Sequence, residues 1–146
     1  YSGRFRPSNP SKYTGNIRNI QYRSLWERQV FRWCDTNSSV KSWSSEEIAI
    51  PYLDKTDNKS HIYYPDLKIT FEDGRVLIIE IKPKNQVEKP KKQSRMTKGY
   101  IQTVLLYVKN ISKWAAAEAW CKRYGYEFTI WTEDTLKNLG IKLLTG

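Results

Sequence analysis

Asp66, Glu80 and Lys82 are the side chains whose types and spacing point to chemistry. They bracket two runs of alternating apolar residues, Leu67–Phe71 and Val76–Ile81, on either side of Glu72-Asp73-Gly74. That pattern predicts a β hairpin, which returns its second strand to the start of its first. A two-residue Asp73-Gly74 loop would pair Leu67 with Glu80 and turn Asp66 to the opposite face. A loop of Glu72-Asp73-Gly74, with the glycine left-handed, pairs Asp66 with Glu80. Only the second register segregates Leu67, Ile69, Phe71, Leu77, Ile79 and Ile81 on one face, so it is the expected one. The other face then carries Asp66, Lys68, Thr70, Val76, Ile78, Glu80 and Lys82.

Two carboxylates opposite one another repel unless a cation lies between them. Oxygen-only ligands with no nearby His or Cys suit hard Mg²⁺, with Mn²⁺ able to substitute. The Ile81 carbonyl is a further candidate ligand. A lysine two residues beyond a metal-ligating glutamate shares its face. There it can orient a water or stabilise charge developing on a phosphate oxygen. The plain alternative is a surface hairpin with solvated charges.

The elements that must position this trio follow along the chain. Residues 1–20 are rich in Ser, Asn, Pro and Gly, and read as an extended basic arm carrying Arg4, Arg6, Lys12 and Arg18. Residues 21–146 read as a single domain. Ser24 and Glu27 fit a capping box that opens a helix to about Asp35, buried through Leu25, Trp26, Val30, Trp33 and Cys34. Glu27 is thus a candidate cap and also a candidate third acidic ligand. Val40–Ser45 reads as a connection, 47–52 as a strand with Pro51 at an edge or bulge, and 54–59 as a polar turn. His61 reads as a hydrogen-bonded support beside a strand.

Lys84, Lys89, Lys91, Lys92, Arg95 and Lys98 follow the hairpin, against the lone acid Glu88. Prolines frame this run, so its beginning reads as a loop. With the arm and Arg23, it is the expected phosphate-contacting surface. Tyr100–Val108 has helical spacing, and Ser112 reads as the cap of a helix over Lys113–Arg123 ended by Gly125. A strand over Glu127–Trp131 and a last helix from Thr132 to about Gly140 complete the chain. The expected order is α-β-β-β-α-β-α, an α/β class with a mixed sheet flanked by helices.

Composition agrees with a polyanionic partner: 25 Lys and Arg oppose 15 Asp and Glu, for a net charge of +10. No apolar run is long enough to span a bilayer, so no membrane is expected. Cys34 and Cys121 have no zinc-site spacing and read as free thiols of a reducing compartment. The single histidine makes Ser-His-Asp catalysis unfavoured.

Pro65-Asp66 followed by Glu80-Ile81-Lys82 resembles the PD-(D/E)xK signature of restriction-endonuclease-like nucleases. With Tyr22-Arg23-Ser24-Leu25-Trp26-Glu27, His61-x-Tyr63 and Phe128-Thr129-Ile130-Trp131-Thr132-Glu133, the likeness extends over nearly the whole chain. It is similar to the head completion nucleases of tailed phages related to the T-even group. It is similar, more distantly, to the N-terminal domain of TnsA-type transposition endonucleases. The resemblance implies a restriction-endonuclease-like core and Mg²⁺-dependent DNA cleavage through Glu27, Asp66, Glu80 and Lys82. It also implies action at the portal vertex after packaging, with portal or head-completion proteins as partners, in the host cytoplasm or on the virion. The alternative is a non-catalytic DNA-binding protein that closes the vertex. A Gln-x-x-x-Tyr motif of one branch is not matched, since Gln102 is followed by Leu106.

Overall fold

The structure is a computed structural model and describes residues 1–144. A four-stranded mixed sheet carries the fold. Its strands are β3 (Val40–Ser45), β6 (Leu67–Phe71), β7 (Val76–Ile81) and β8 (Glu127–Trp131), in that order across the sheet. β6 is antiparallel to both β3 and β7, and β8 lies parallel to β7. Helices α1 (Leu25–Thr36), α2 (Lys84–Val87), α3 (Lys98–Tyr124) and α4 (Glu133–Asn138) surround it. Two ribbons complete the chain: β1 (Gly3–Arg4) with β2 (Gln21–Tyr22), and β4 (Ile50–Asp54) with β5 (Lys59–Tyr63).

The hairpin forms in the expected register. Leu67 pairs with Ile79, Lys68 with Ile78 and Thr70 with Val76. The loop is Glu72-Asp73-Gly74, closed by Gly74 N–H to the Phe71 carbonyl at 3.0 Å. Gly74 has φ of 93°, a value that a side chain would oppose. Leu67, Ile69, Leu77, Ile79 and Ile81 pack into one core with Val30, Phe31 and Cys34 of α1 and Leu136 of α4. A second core lies where the β4–β5 ribbon and α3 meet, with Ile50, Tyr52 and Tyr63 against Trp114 and Ala117. Phe128 and Ile130 of β8 pack against this second core.

Three expectations are corrected. Val40–Ser45 is not a connection but the edge strand β3, so five strands rather than three separate α1 from the next helices. Its composition hid it, because Ser44 and Ser45 are buried serines. At Ser45 the Tyr13 hydroxyl accepts the backbone N–H at 3.1 Å. The strand anticipated around Pro51 exists, but in the β4–β5 ribbon rather than the main sheet. The run after Pro83 opens with one turn of helix, α2, because Pro83 occupies the N-cap where its missing N–H costs nothing.

Ser112 caps nothing. α3 runs unbroken from Thr97, whose side chain accepts the Tyr100 N–H, to Gly125 in the left-handed conformation. The Ser112 hydroxyl donates back to the Val108 carbonyl at 2.9 Å, the bond by which a mid-helix serine satisfies its hydroxyl inside the helix.

The N-terminal segment is extended for much of its length but is fastened to the body. Phe5, Tyr13 and Ile20 are buried. Phe5 packs edge-on against Phe31 and Trp43, and Tyr13 edge-on against Trp43 at 4.7 Å. Both oxygens of buried Asp35 accept backbone N–H groups, from Ser8 at 2.8 Å and Asn9 at 2.9 Å.

Candidate active site

Asp66 immediately precedes β6, and Glu80 is the penultimate residue of β7, so the register sets them across from one another. Asp66 Oδ2 accepts the Ile81 N–H at 2.7 Å. Glu80 is buried on the face turned toward α3, where Oε2 accepts the Tyr63 hydroxyl. Lys82 Nζ lies 3.8 Å from Glu80 Oε1. Beyond β7 the Lys82 N–H donates to the Trp131 carbonyl at 3.0 Å, which carries the pairing with β8 past the lysine and fixes its direction.

Glu27 reaches the same place from the first turn of α1. Ser24 is the N-cap, and its side chain accepts the Glu27 N–H at 3.2 Å. The reciprocal half of the box differs from expectation. Glu27 accepts the N–H of Arg23 at 3.4 Å and the Ser24 hydroxyl at 3.3 Å, not the Ser24 N–H. Its carboxylate is therefore turned across the helix entrance. A cleft of about 400 Å³ opens there, with Glu27, Ile81, Lys82 and Pro83 in its wall.

The electrostatics set this cluster apart. The pKa values of Glu27, Asp66 and Glu80 are all raised, with burial the leading cause in each. Asp66 is pushed furthest, by burial and then by the charges of Glu80 and Glu27. Lys82 works in the other direction on both Asp66 and Glu80. Lys82 and, for Glu80, Lys113 offset only part of this rise, so the group is in need of more positive charge. All-oxygen donors of this kind match a hard divalent cation.

Residues 37–133 match the TnsA-like endonuclease N-terminal family. The chain belongs to that family. It is also 37% identical over 146 residues to the "Head completion nuclease" of Enterobacteria phage T4, an alignment covering 97% of this chain and 97% of that protein. No solved structure matches. The TnsA-like match includes Asp66, Glu80 and Lys82 but starts after α1, leaving Glu27 to the phage relative's longer alignment.

Two neighbours of Glu80 in this TnsA-like domain escaped the reading of the sequence. Tyr63 ends β5, and burial raises its pKa far above the usual range, with Glu80 adding to the rise. Lys113 on α3 stands with its ammonium 5.7 Å from the centre of the Tyr63 ring. Burial lowers its pKa, against the pull of Glu80. Its signal lay in helical spacing. Asn110, Trp114, Ala117 and Cys121 form the buried stripe of α3, and Lys113 adjoins it. Reading Ser112 as a cap concealed that stripe.

Among the described residues, the group whose potential ligand atoms all lie within 4.8 Å of one another is Asp54, Asp57 and His61, not the Asp66–Glu80 cluster. It sits at the β4–β5 turn, and its oxygens are already used. Asp54 Oδ1 accepts the Thr56 N–H and hydroxyl, Asp57 Oδ1 accepts the Lys59 N–H, and Asp57 Oδ2 meets His61 Nε2 at 2.8 Å. His61 is the hydrogen-bonded support its position suggested.

The anticipated phosphate contacts divide into two groups. Lys12 donates to the Asn37 carbonyl at 2.7 Å, and Arg23 is held by both oxygens of Glu46 at 2.9 and 3.1 Å. Lys84 lies 3.5 Å from Asp134. These cations are committed within the protein. Arg4, Arg6, Arg18, Lys89, Lys91, Lys92, Arg95 and Lys98 form no ion pair among the described residues and are exposed. No described helix is long and apolar enough to cross a membrane.

Proposed function

We propose that the chain is a Mg²⁺-dependent DNA endonuclease with a restriction-endonuclease-like core, acting in the completion of a phage head. The observation that carries the reading is the cluster of buried Glu80 with half-buried Glu27 and Asp66, all with raised pKa values, beside Lys82. Membership of the TnsA-like endonuclease family and likeness to a phage head completion nuclease support the reaction class.

Asp66 and Glu80 would hold the cation, with Glu27 and the Ile81 carbonyl completing its oxygen shell. When bound there, Mg²⁺ or Mn²⁺ would supply charge neutralisation and Lewis-acid polarisation of the phosphodiester. The chain's own groups do the rest. Tyr63 fixes Glu80 by donating to one oxygen, leaving the other toward Lys82. Asp66 is held by the Ile81 N–H, so its free oxygen has one direction. Lys82 orients the attacking water and stabilises negative charge growing on a phosphate oxygen. The exposed cations of residues 89–98, unpaired among the described residues, hold the backbone.

Supercoiled plasmid incubated with and without Mg²⁺ tests the reading. Nicked or linear product in Mg²⁺, absent in chelator and absent in Glu80→Ala, is expected. DNA binding without cleavage under every divalent condition would favour the closing of the portal vertex by a non-catalytic DNA-binding protein. In that case portal or head-completion proteins would be the relevant partners.

A further inference from the structure

Four guanidinium groups converge outside the site just described. Arg28 and Arg32 are one turn apart on α1, and Arg4 and Arg6 approach them from the N-terminal segment. Together they wall a groove of about 380 Å³. Arg28 is half-buried over the ring of Tyr22, 6.0 Å from its centre. The remaining three are exposed.

The groove has one carboxylate, Asp35, which is 2% exposed. It is consumed by the Ser8 and Asn9 N–H groups and neutralises none of the arginines. Among the described residues, none of the four guanidiniums is in a salt bridge. Four permanent charges drawn together without an internal counterion call for an external one. A single phosphate, at roughly −2, would leave half of them unanswered.

We infer that this groove binds the phosphodiester backbone of DNA beside the cleavage site, with Arg28 and Arg32 as its anchoring contacts. The placement is continuous with the candidate active site, since Arg28 directly follows Glu27 on α1. The wall of the groove passes through Tyr22 to Arg23 and Ser24 of the cleft. Arginine suits the task because its planar donors meet two phosphate oxygens at once. The inference rests on the nuclease reading for its substrate, but its test does not depend on cleavage.

The test is the salt dependence of duplex binding, measured with the full chain in chelator. Each lost phosphate contact lowers the slope of log K against log salt by about 0.9. Arg28→Ala/Arg32→Ala should lower it by roughly 2, and in Mg²⁺ should raise KM while sparing kcat. If that variant fails to fold, Arg32→Glu, at an exposed position, carries the test with a similar fall. An unchanged slope in a folded variant overturns the groove, while wild-type cleavage would still uphold the nuclease. A lowered slope without any cleavage upholds the groove and removes the nuclease. Inorganic phosphate separates the remaining source. A melting shift in phosphate that disappears in Arg28→Ala/Arg32→Ala, with the DNA slope unchanged, would make this a free-anion pocket and overturn the inference.

Discussion

Two hairpins in this protein gather carboxylates, and they treat them in opposite ways. At the β4–β5 turn, Asp54 and Asp57 have lowered pKa values. For Asp54 the first cause is the Thr56 hydroxyl, and for Asp57 it is the Lys59 N–H. At the open end of β6–β7, Asp66 and Glu80 have raised values because burial outweighs the bonds they receive. The first pair is closer to an adjacent imidazole and has the look of a ligand set. Yet its charges are already satisfied, and the second pair's are not. Proximity of ligand atoms is thus a poor guide to chemistry. Charge held without full compensation is a better one, because stability is given up there for something.

The largest effect that can break this comparison is on cleavage. Asp66→Ala, Glu80→Ala and Lys82→Ala should each reduce divalent-dependent cleavage by at least 100-fold, the order expected for loss of a charge-stabilising group. Duplex binding in chelator should stay near wild type in all three. Wild-type turnover in the Glu80 variant would remove the distinction between the hairpins.

Next in size is Glu27→Gln. Glutamine can still accept from the Arg23 N–H and the Ser24 hydroxyl but cannot supply charge. We expect a melting temperature no lower than wild type and cleavage slowed by about tenfold or more. Normal cleavage would reduce Glu27 to a cap and leave the site to the hairpin and Lys82.

The pH dependence of stability sharpens the contrast. A raised carboxylate pKa means the folded chain binds that proton more tightly than the unfolded chain. Stability then falls as pH climbs from the ordinary carboxylate value through the raised one. A lowered pKa has the reverse sign: stability is present above the ordinary value and lost as pH falls through the depressed one. In chelator at neutral pH, Asp66→Asn should therefore raise the melting temperature by about 3 °C or more, a gain that vanishes in acid. Asp57→Asn should lower it slightly, and that loss should also vanish in acid. Calorimetry at pH 7 and near pH 3.5 reads both signs. Mg²⁺ should raise the wild-type melting temperature and leave that of Asp66→Asn nearly unmoved.

The smallest effect is an expected near-absence. Asp57→Asn and His61→Ala should leave cleavage within about twofold of wild type, since neither touches the candidate site. A tenfold loss in either would mean that the β4–β5 turn takes part in the reaction.

The hairpin was legible because one register alone buries a clean apolar face, and because Gly74 marks the loop. α1 and β8 were legible from Ser24 and from a compact apolar run. β3 was not, because it buries Ser44 and Ser45, and Ser45 meets Tyr13, thirty-two residues away in sequence, a relation no local pattern contains. Nor was α3 as one helix, since a serine can cap a helix or return its hydroxyl to the ladder, and only the fold decides. The same gap hid Lys113 and Tyr63. Their approach to Glu80 depends on α3 and the β4–β5 ribbon meeting, which the spacing of neither element specifies.

Phe5, Tyr13 and Ile20 have a consequence for how this chain is made. Their partners Phe31 and Trp43 come later, and Trp43 lies in a strand that must first pair with β6. Residues 1–20 therefore have no surface to settle on until the hairpin is complete, and we expect them to dock last. Each of these side chains contributes roughly 1.5–3 kcal/mol by burial, set against a total stability of about 5–15 kcal/mol for a typical domain. Deleting residues 1–20 would thus remove a large part of the margin. Limited proteolysis during refolding, with cuts near Arg18 protected only in the final phase, would record that order of assembly.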